Sequence, residues 1–270
     1  MWALLFATAT AIVVTYSRLA PDDLYNTSVD GLAGGLGRAL VFLNYPVALA
    51  AIPIACLAGE RIGTRNAGFA ALVASGLCAV TAVPGVVDQY DLDAKPVNVV
   101  PALGVAIAFV LSLRAPWKRV GRLPLDPLRV LVGIAVWLVA LVWIAAALGF
   151  YFPGDFLLGE EIRRGGDGRL GPAVHLGEHE GLDAALLVTA ALMLTRYRPP
   201  LAVLFVLSLA FVYGLFVEWR DFWFEQVNKR DWTTWKPPSV LTPHLSLGWG
   251  LIVVLALLVA LAVRRVEGRR

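Results

Sequence analysis

The sequence predicts an all-α fold, a polytopic membrane bundle of about eight transmembrane helices, with residues 1–270 forming one membrane-embedded helical domain. Three observations predict it. Hydrophobic residues make up 59% of the chain and charged residues 16%, against about 25% charged in average chains; the mean hydropathy is +0.72. Apolar stretches of about twenty residues recur, each long enough to cross a hydrocarbon core of about 30 Å. Basic residues also crowd into alternate connections, as orientation in a membrane requires.

The spans fall at roughly 2–17, 32–58, 67–87, 97–114, 127–152, 172–196, 200–219 and 243–264. The first is short, but it lacks the basic leader and small-residue cleavage site of a signal peptide. Span two holds Pro46 and Pro53 after Asn44, which predicts a kink or break whose freed carbonyls need partners. Gly31, Gly34, Gly35 and Gly37 at its start, and Gly177 and Gly181 in span six, allow close helix approach. Cys56 and Cys78 fall inside spans and read as small buried hydrophobes rather than a disulfide. Spans five to eight each open on a proline (Pro127, Pro172, Pro200 and Pro243), with Thr242 as a cap for the last.

The formal charge of +3 hides an asymmetry. With the amino terminus in the cytoplasm, the inner segments carry thirteen of the 23 basic residues and three acids, Glu60, Asp126 and Glu267. Ten basic residues and seventeen acids remain elsewhere. The densest basic clusters, 114–129 and 264–270, fall on one side, which places both termini in the cytoplasm. The Arg-, Ala-, Gly- and Val-rich composition fits a bacterial cytoplasmic (inner) membrane. No motif points to nucleic acid. The glycine run 31–37 follows no strand and carries no Lys-Ser/Thr, so it is no phosphate loop. Inner connections are too short for a nucleotide-binding domain.

The outer segments are longer and acidic, and longer loops over a bundle commonly carry function. Residues 218–235 mix aromatics with charges of both signs, which suits a segment lying along the headgroups. Asp88, Asp91 and Asp93 read as a solvated acidic turn, since their spacing fits no calcium loop.

The candidate chemistry lies in span six. Ionisable residues at membrane depth are costly and pair, bind something or line a pathway. Steps of four residues put His175, His179 and Asp183 on one helix face, with Glu178 beside them. Counted from Pro172, Asp183 lies about 16 Å down that helix. His244, in the first turn of span eight, meets a positive helix end that keeps its imidazole neutral, as a metal requires. His175, His179, Asp183 and His244 then form a candidate site for a divalent transition metal, zinc, copper or iron. An open position would acidify a bound water, with Glu178 and Asp183 as catalytic candidates and Glu178 as base. Haem held by two imidazoles is a sub-case with no further signature. The same residues also fit a metal-free proton or substrate-binding network, or plain structural hydrogen bonding.

Arg38, on the outer side of span two, either pairs with Asp30 or Asp88 or grips an anionic headgroup. Asn44 and Tyr45, deeper, are placed to bond the carbonyls freed by Pro46. Arg38 and Asn44 are the substrate-binding candidates. The His-x-x-x-His with a nearby Asp is similar to part of the alkaline-ceramidase and adiponectin-receptor type of membrane hydrolase. With no histidine before residue 175, the chain lacks their early-span element, and membership is not inferred.

Together these features predict a metal-dependent hydrolase or transferase acting on a lipid-linked substrate, with membrane lipids around it. The alternatives are a proton-coupled transporter using these residues as a relay, or a non-catalytic subunit docked on a membrane-protein partner.

Overall fold

A computed structural model describes residues 1–18, 28–87, 93–118, 120–147, 161–163, 170–172, 180–228, 230–241 and 243–268. The protein is helical. Its helices are α1 (Trp2–Tyr16), α2 (Gly31–Phe42), α3 (Ala48–Ile62), α4 (Arg65–Ala79), α5 (Val99–Arg114), α6 (Asp126–Ala147), α7 (Glu180–Thr195), α8 (Leu201–Trp223) and α9 (Leu247–Glu267). A small antiparallel ribbon, β1 (Glu161–Arg163) with β2 (Leu170–Pro172), lies between α6 and α7 in sequence.

Among the described residues, six helical stretches are long and apolar enough to cross a membrane: Gly31–Ile62, Arg65–Ala82, Pro96–Arg114, Asp126–Ile144, Leu201–Asn228 and Leu247–Glu267. They match the expected spans two, three, four, five, seven and eight. Spans one and six correspond to α1 and α7, of 15 and 16 residues. Aromatic clusters lie toward both ends of the bundle, as at the two interfaces of a bilayer. Trp2, Phe6 and Phe109 pack together on α1 and α5, and Trp117 meets Tyr197. Near the end of α8, Trp219, Trp223 and Trp235 pack together.

With α2 and α3 continuous as one span, successive spans run up and down between two ends of opposite character. At the basic end, where α3, α5, α7 and α9 finish, Arg129 lies between three elements. It donates two bonds to the Glu267 carboxylate at 2.7 and 2.9 Å, one to Asp126 at 3.2 Å and one to the Thr195 hydroxyl at 3.2 Å. Arg196 reaches the same Asp126 at 3.0 and 3.1 Å. Arg61 sits over the rings of Trp117 and Tyr197 and donates to the Tyr197 carbonyl at 2.9 Å. These contacts fasten the start of α6 to the ends of α7 and α9, and the end of α3 to the segments that follow α5 and α7. From sequence the same charges read only as orientation signals.

Small residues set the spacing inside. A Cβ on Gly104 of α5 would lie 2.7 Å from Cys78 Sγ and 2.8 Å from the Ala74 carbonyl oxygen of α4. One on Gly59 of α3 would meet Ala71 and the Ala67 carbonyl of α4. Contact this close substitutes for the hydrophobic drive that helices lack in lipid. Gly104→Ala is therefore expected to part α4 from α5 and cost about 1–3 kcal/mol, read as a lower thermal midpoint of the purified protein. The cysteines stay apart: Cys78 donates to the Pro101 carbonyl at 3.9 Å, and Cys56 meets Ser75 at 3.4 Å.

The expected interruption of span two takes the form of a π-turn, Leu43–Val47, with Pro46 inside it. The helix continues through it and through Pro53 rather than breaking. The wider turn absorbs the missing proline N–H and sends Asn44 and Tyr45 toward different neighbours. Asn44 donates to the Leu40 carbonyl at 2.7 Å and to the Asn98 carbonyl at 2.9 Å, and accepts from the Asn98 amide at 3.1 Å.

Three boundaries differ from expectation. α7 is described from Glu180, and Pro172 ends a strand instead of opening a helix. The Asp221 carboxylate accepts from the Gly181 N–H at 2.8 Å, satisfying a donor of the α7 first turn that would otherwise be orphaned. α9 begins at Leu247, with Ser246 as its cap accepting from the Trp249 N–H at 3.3 Å, so Pro243 and His244 precede the helix. α8 continues through a second π-turn to Asn228. Residues 218–228 thus extend a span and do not form a separate strip along the headgroups.

Candidate functional site

The other end of the bundle, where α7 starts and α8 finishes, gathers acids. Asp183, in the first turn of α7, is 5% exposed; on α8, Glu218 is 4% and Asp221 9% exposed. On a helix with about 100° per residue, Gly214, Glu218, Asp221 and Glu225 lie along one face. Gly214 of that face packs against Val188 and the Ala184 carbonyl of α7. Arg220 pairs with Glu180 at 2.6 Å, and Glu225 accepts from the Trp143 indole at 2.8 Å. The Trp143 ring lies against Gly181, where a Cβ would come within 2.5 Å of three ring carbons. Asp221 lies within electrostatic reach of Glu180 and Glu225, with Arg220 also nearby.

Two tyrosines connect this centre to span two. The Tyr45 hydroxyl of the π-turn bonds the Tyr213 hydroxyl of α8, and Tyr213 donates to the Leu241 carbonyl at 3.1 Å. Both tyrosines feel the charges of Glu180 and Asp183. The π-turn and the segment before α9 thus meet α8 at Tyr213, and the first turn of α7 meets it further along, at Asp221.

The expected site residues distribute as follows. Asp183 is buried in the first described turn of α7, and Pro172, from which its depth is counted, lies in β2. His244 lies ahead of α9 and is exposed; it follows Pro243, which shares a cavity wall with Tyr45 and Tyr213. Its place outside the helix removes the helix-end argument for a neutral imidazole. His175, Glu178 and His179 lie outside the described residues. Arg38 is 2% exposed and sits over the Tyr16 ring of α1 at 5.8 Å. Asn44 is buried against Asn98, with its amide hydrogens given to backbone carbonyls. Asp93 holds the backbone N–H of Ser28 at 3.0 Å and also meets its hydroxyl; Asp88 and Asp91 lie outside the described residues. Among the described residues, no three His, Cys, Asp or Glu side chains are grouped so as to hold a metal ion.

Sequence reasoning missed Tyr213, Glu218, Asp221 and Glu225. Their signal was available: acids at 218, 221 and 225 repeat at helical spacing beyond the tyrosine of an apolar span. Ending that span at 219 hid them. Comparison with protein-family models, curated proteins and solved structures finds no match for this chain.

Proposed function

We propose that the protein is a multi-pass membrane protein, both termini cytoplasmic, whose external end holds a cation-binding centre serving hydrolysis or transfer on a lipid-linked substrate. The basic end is cytoplasmic by the positive-inside rule, which makes the end rich in carboxylates external. The observation that carries the reading is the acidic character of this end, where buried Asp221, bonded to the Gly181 N–H, lies within electrostatic reach of Glu180 and Glu225, and buried Asp183 follows three residues after Glu180 on α7. His179 directly precedes Glu180 in the sequence. An imidazole tethered that closely to a carboxylate cluster supplies the mixed nitrogen and oxygen donors that zinc, iron and copper take.

In this reading His175, His179 and Asp183 hold the metal, with His244 as a further ligand from the segment before α9. Glu178 is the base. Arg38 holds the substrate's anion, and Asn44, fastened to Asn98, fixes the π-turn that presents Tyr45. Elemental analysis of the purified protein is expected to find about one zinc, iron or copper per chain. Zinc titration of the stripped protein should give a Kd below about 10 μM. Metal-free protein that binds zinc no tighter than millimolar overturns the reading.

The hydroxyl pair Tyr45–Tyr213, within electrostatic reach of the Glu180 and Asp183 carboxylates, favours a second reading, a proton relay that delivers to those carboxylates. It requires no metal and predicts that proteoliposome uptake driven by a pH gradient is lost in Tyr213→Phe.

A further inference from the structure

A cavity of about 340 Å³ lies between the α3–α4 pair and the α8–α9 pair. Apolar side chains form nearly all of its wall, with Leu49, Leu187 and Leu209 among them. The Trp249 ring stacks on Tyr213, with centroids 5.4 Å apart. Three of its lining residues carry hydroxyls. Those of Tyr45 and Tyr213 are engaged with each other and with Leu241. The third belongs to Thr81, in the 3₁₀ turn (Val80–Ala82) that ends α4. Thr81 is 2% exposed, and its Oγ1 has no hydrogen-bond partner among the described residues.

A threonine on a helix end ordinarily returns its hydroxyl to a backbone carbonyl. Leaving it unmet in apolar surroundings costs free energy that a valine of the same shape would avoid. Ligand sites have this form, an apolar cavity with very few polar groups that fix one atom of the occupant. The volume is at the small end of the range for such sites, about 300–1,000 Å³, which suits one chain. A bulk lipid tail would bring only methylenes to Thr81 and leave its hydroxyl unmet. An alcohol both donates to and accepts from threonine.

We infer that this cavity is a binding site for a single-chain lipid alcohol whose oxygen bonds Thr81. The cavity shares Tyr45 and Tyr213 with the acidic centre, so its occupant would be the chain of the lipid-linked substrate. That last identification rests on the proposed function; the cavity's occupancy does not.

The test is photolabelling of the full-length protein in phosphatidylcholine nanodiscs. Two diazirine probes are compared at equal membrane concentration, a decanol and the matching decane. Peptides spanning 201–214 and 241–249 are expected to take the alcohol about fivefold more than the alkane, the worth of one hydrogen bond. Thr81→Val should bring that ratio to about one with alkane labelling unchanged, and Thr81→Ser should restore it. Ala210→Phe, which fills the cavity, should suppress both probes. Equal labelling of wild type by the two probes, or a preference that survives Thr81→Val, overturns the inference. Labelling needs no metal and no turnover. Zinc-free protein with the preference therefore keeps the cavity and loses the centre, and zinc-binding protein without it does the reverse.

Discussion

Glu267→Ala, with Arg129 left in place, is expected to destabilise the bundle by about 3–5 kcal/mol. The pair is bidentate, and its side chains are 9% and 3% exposed, so solvent screens it little. Removing the acid strands a guanidinium among α6, α7 and α9. Asp126 at 3.2 Å and Thr195 at 3.2 Å remain, which sets the effect toward the lower bound. Above the pair, α6 and α9 face each other across an apolar cleft of about 270 Å³ lined by Val132, Val259 and Val263. The ion pair is what ties the two helices at that end. Arg129→Leu with Glu267→Leu together should fall within about 1 kcal/mol of wild type, because neither charge is then left buried alone. Arg196→Ala should cost under about 1 kcal/mol, since Arg196 is 41% exposed and its pairing is screened. Unfolding in a detergent titration measures all three. A cost under 1 kcal/mol for the single Glu267 variant would show that Asp126 and Thr195 suffice.

The membrane architecture was legible because it depends on apolar length, which composition carries directly. The π-turn was half legible: Pro46 announces a lost N–H, but only the fold shows Asn98 as partner of Asn44, 54 residues away. Boundaries failed where tertiary capping set them. Pro172 fits a strand end as well as a helix start, and the Gly181 N–H of α7 finds its acceptor in Asp221, forty residues on. Likewise Ser246, not Thr242 with Pro243, opens α9. Charges at 218–225 looked like the end of a span because hydropathy falls there. Their partners, Gly181 and Trp143, come from other helices, and a hydropathy profile carries no information about them. Asp183 was identifiable as a buried acid in an apolar run.

Asp183→Asn is expected to weaken zinc binding at least about 100-fold while changing stability by less than about 1 kcal/mol. Losing an outer partner of a metal ligand already costs about 10–100-fold, so losing a ligand costs no less. Asparagine keeps the shape of the side chain in a site that is 5% exposed but removes the charge that holds the ion. Asp221 separates ligation from architecture. Asp221→Asn retains an oxygen for the Gly181 N–H and should leave α7 intact, lowering affinity only through the lost nearby charge, about tenfold. Asp221→Ala strands that buried N–H and should cost about 1–3 kcal/mol. Calorimetric titration with zinc, paired with thermal unfolding of the same samples, distinguishes these effects. If Asp183→Asn and Asp221→Asn weaken zinc equally, Asp183 acts through the general field of the acids and is not a ligand. If neither changes it, the carboxylates at this end serve the packing of α7 on α8, and the cation reading fails.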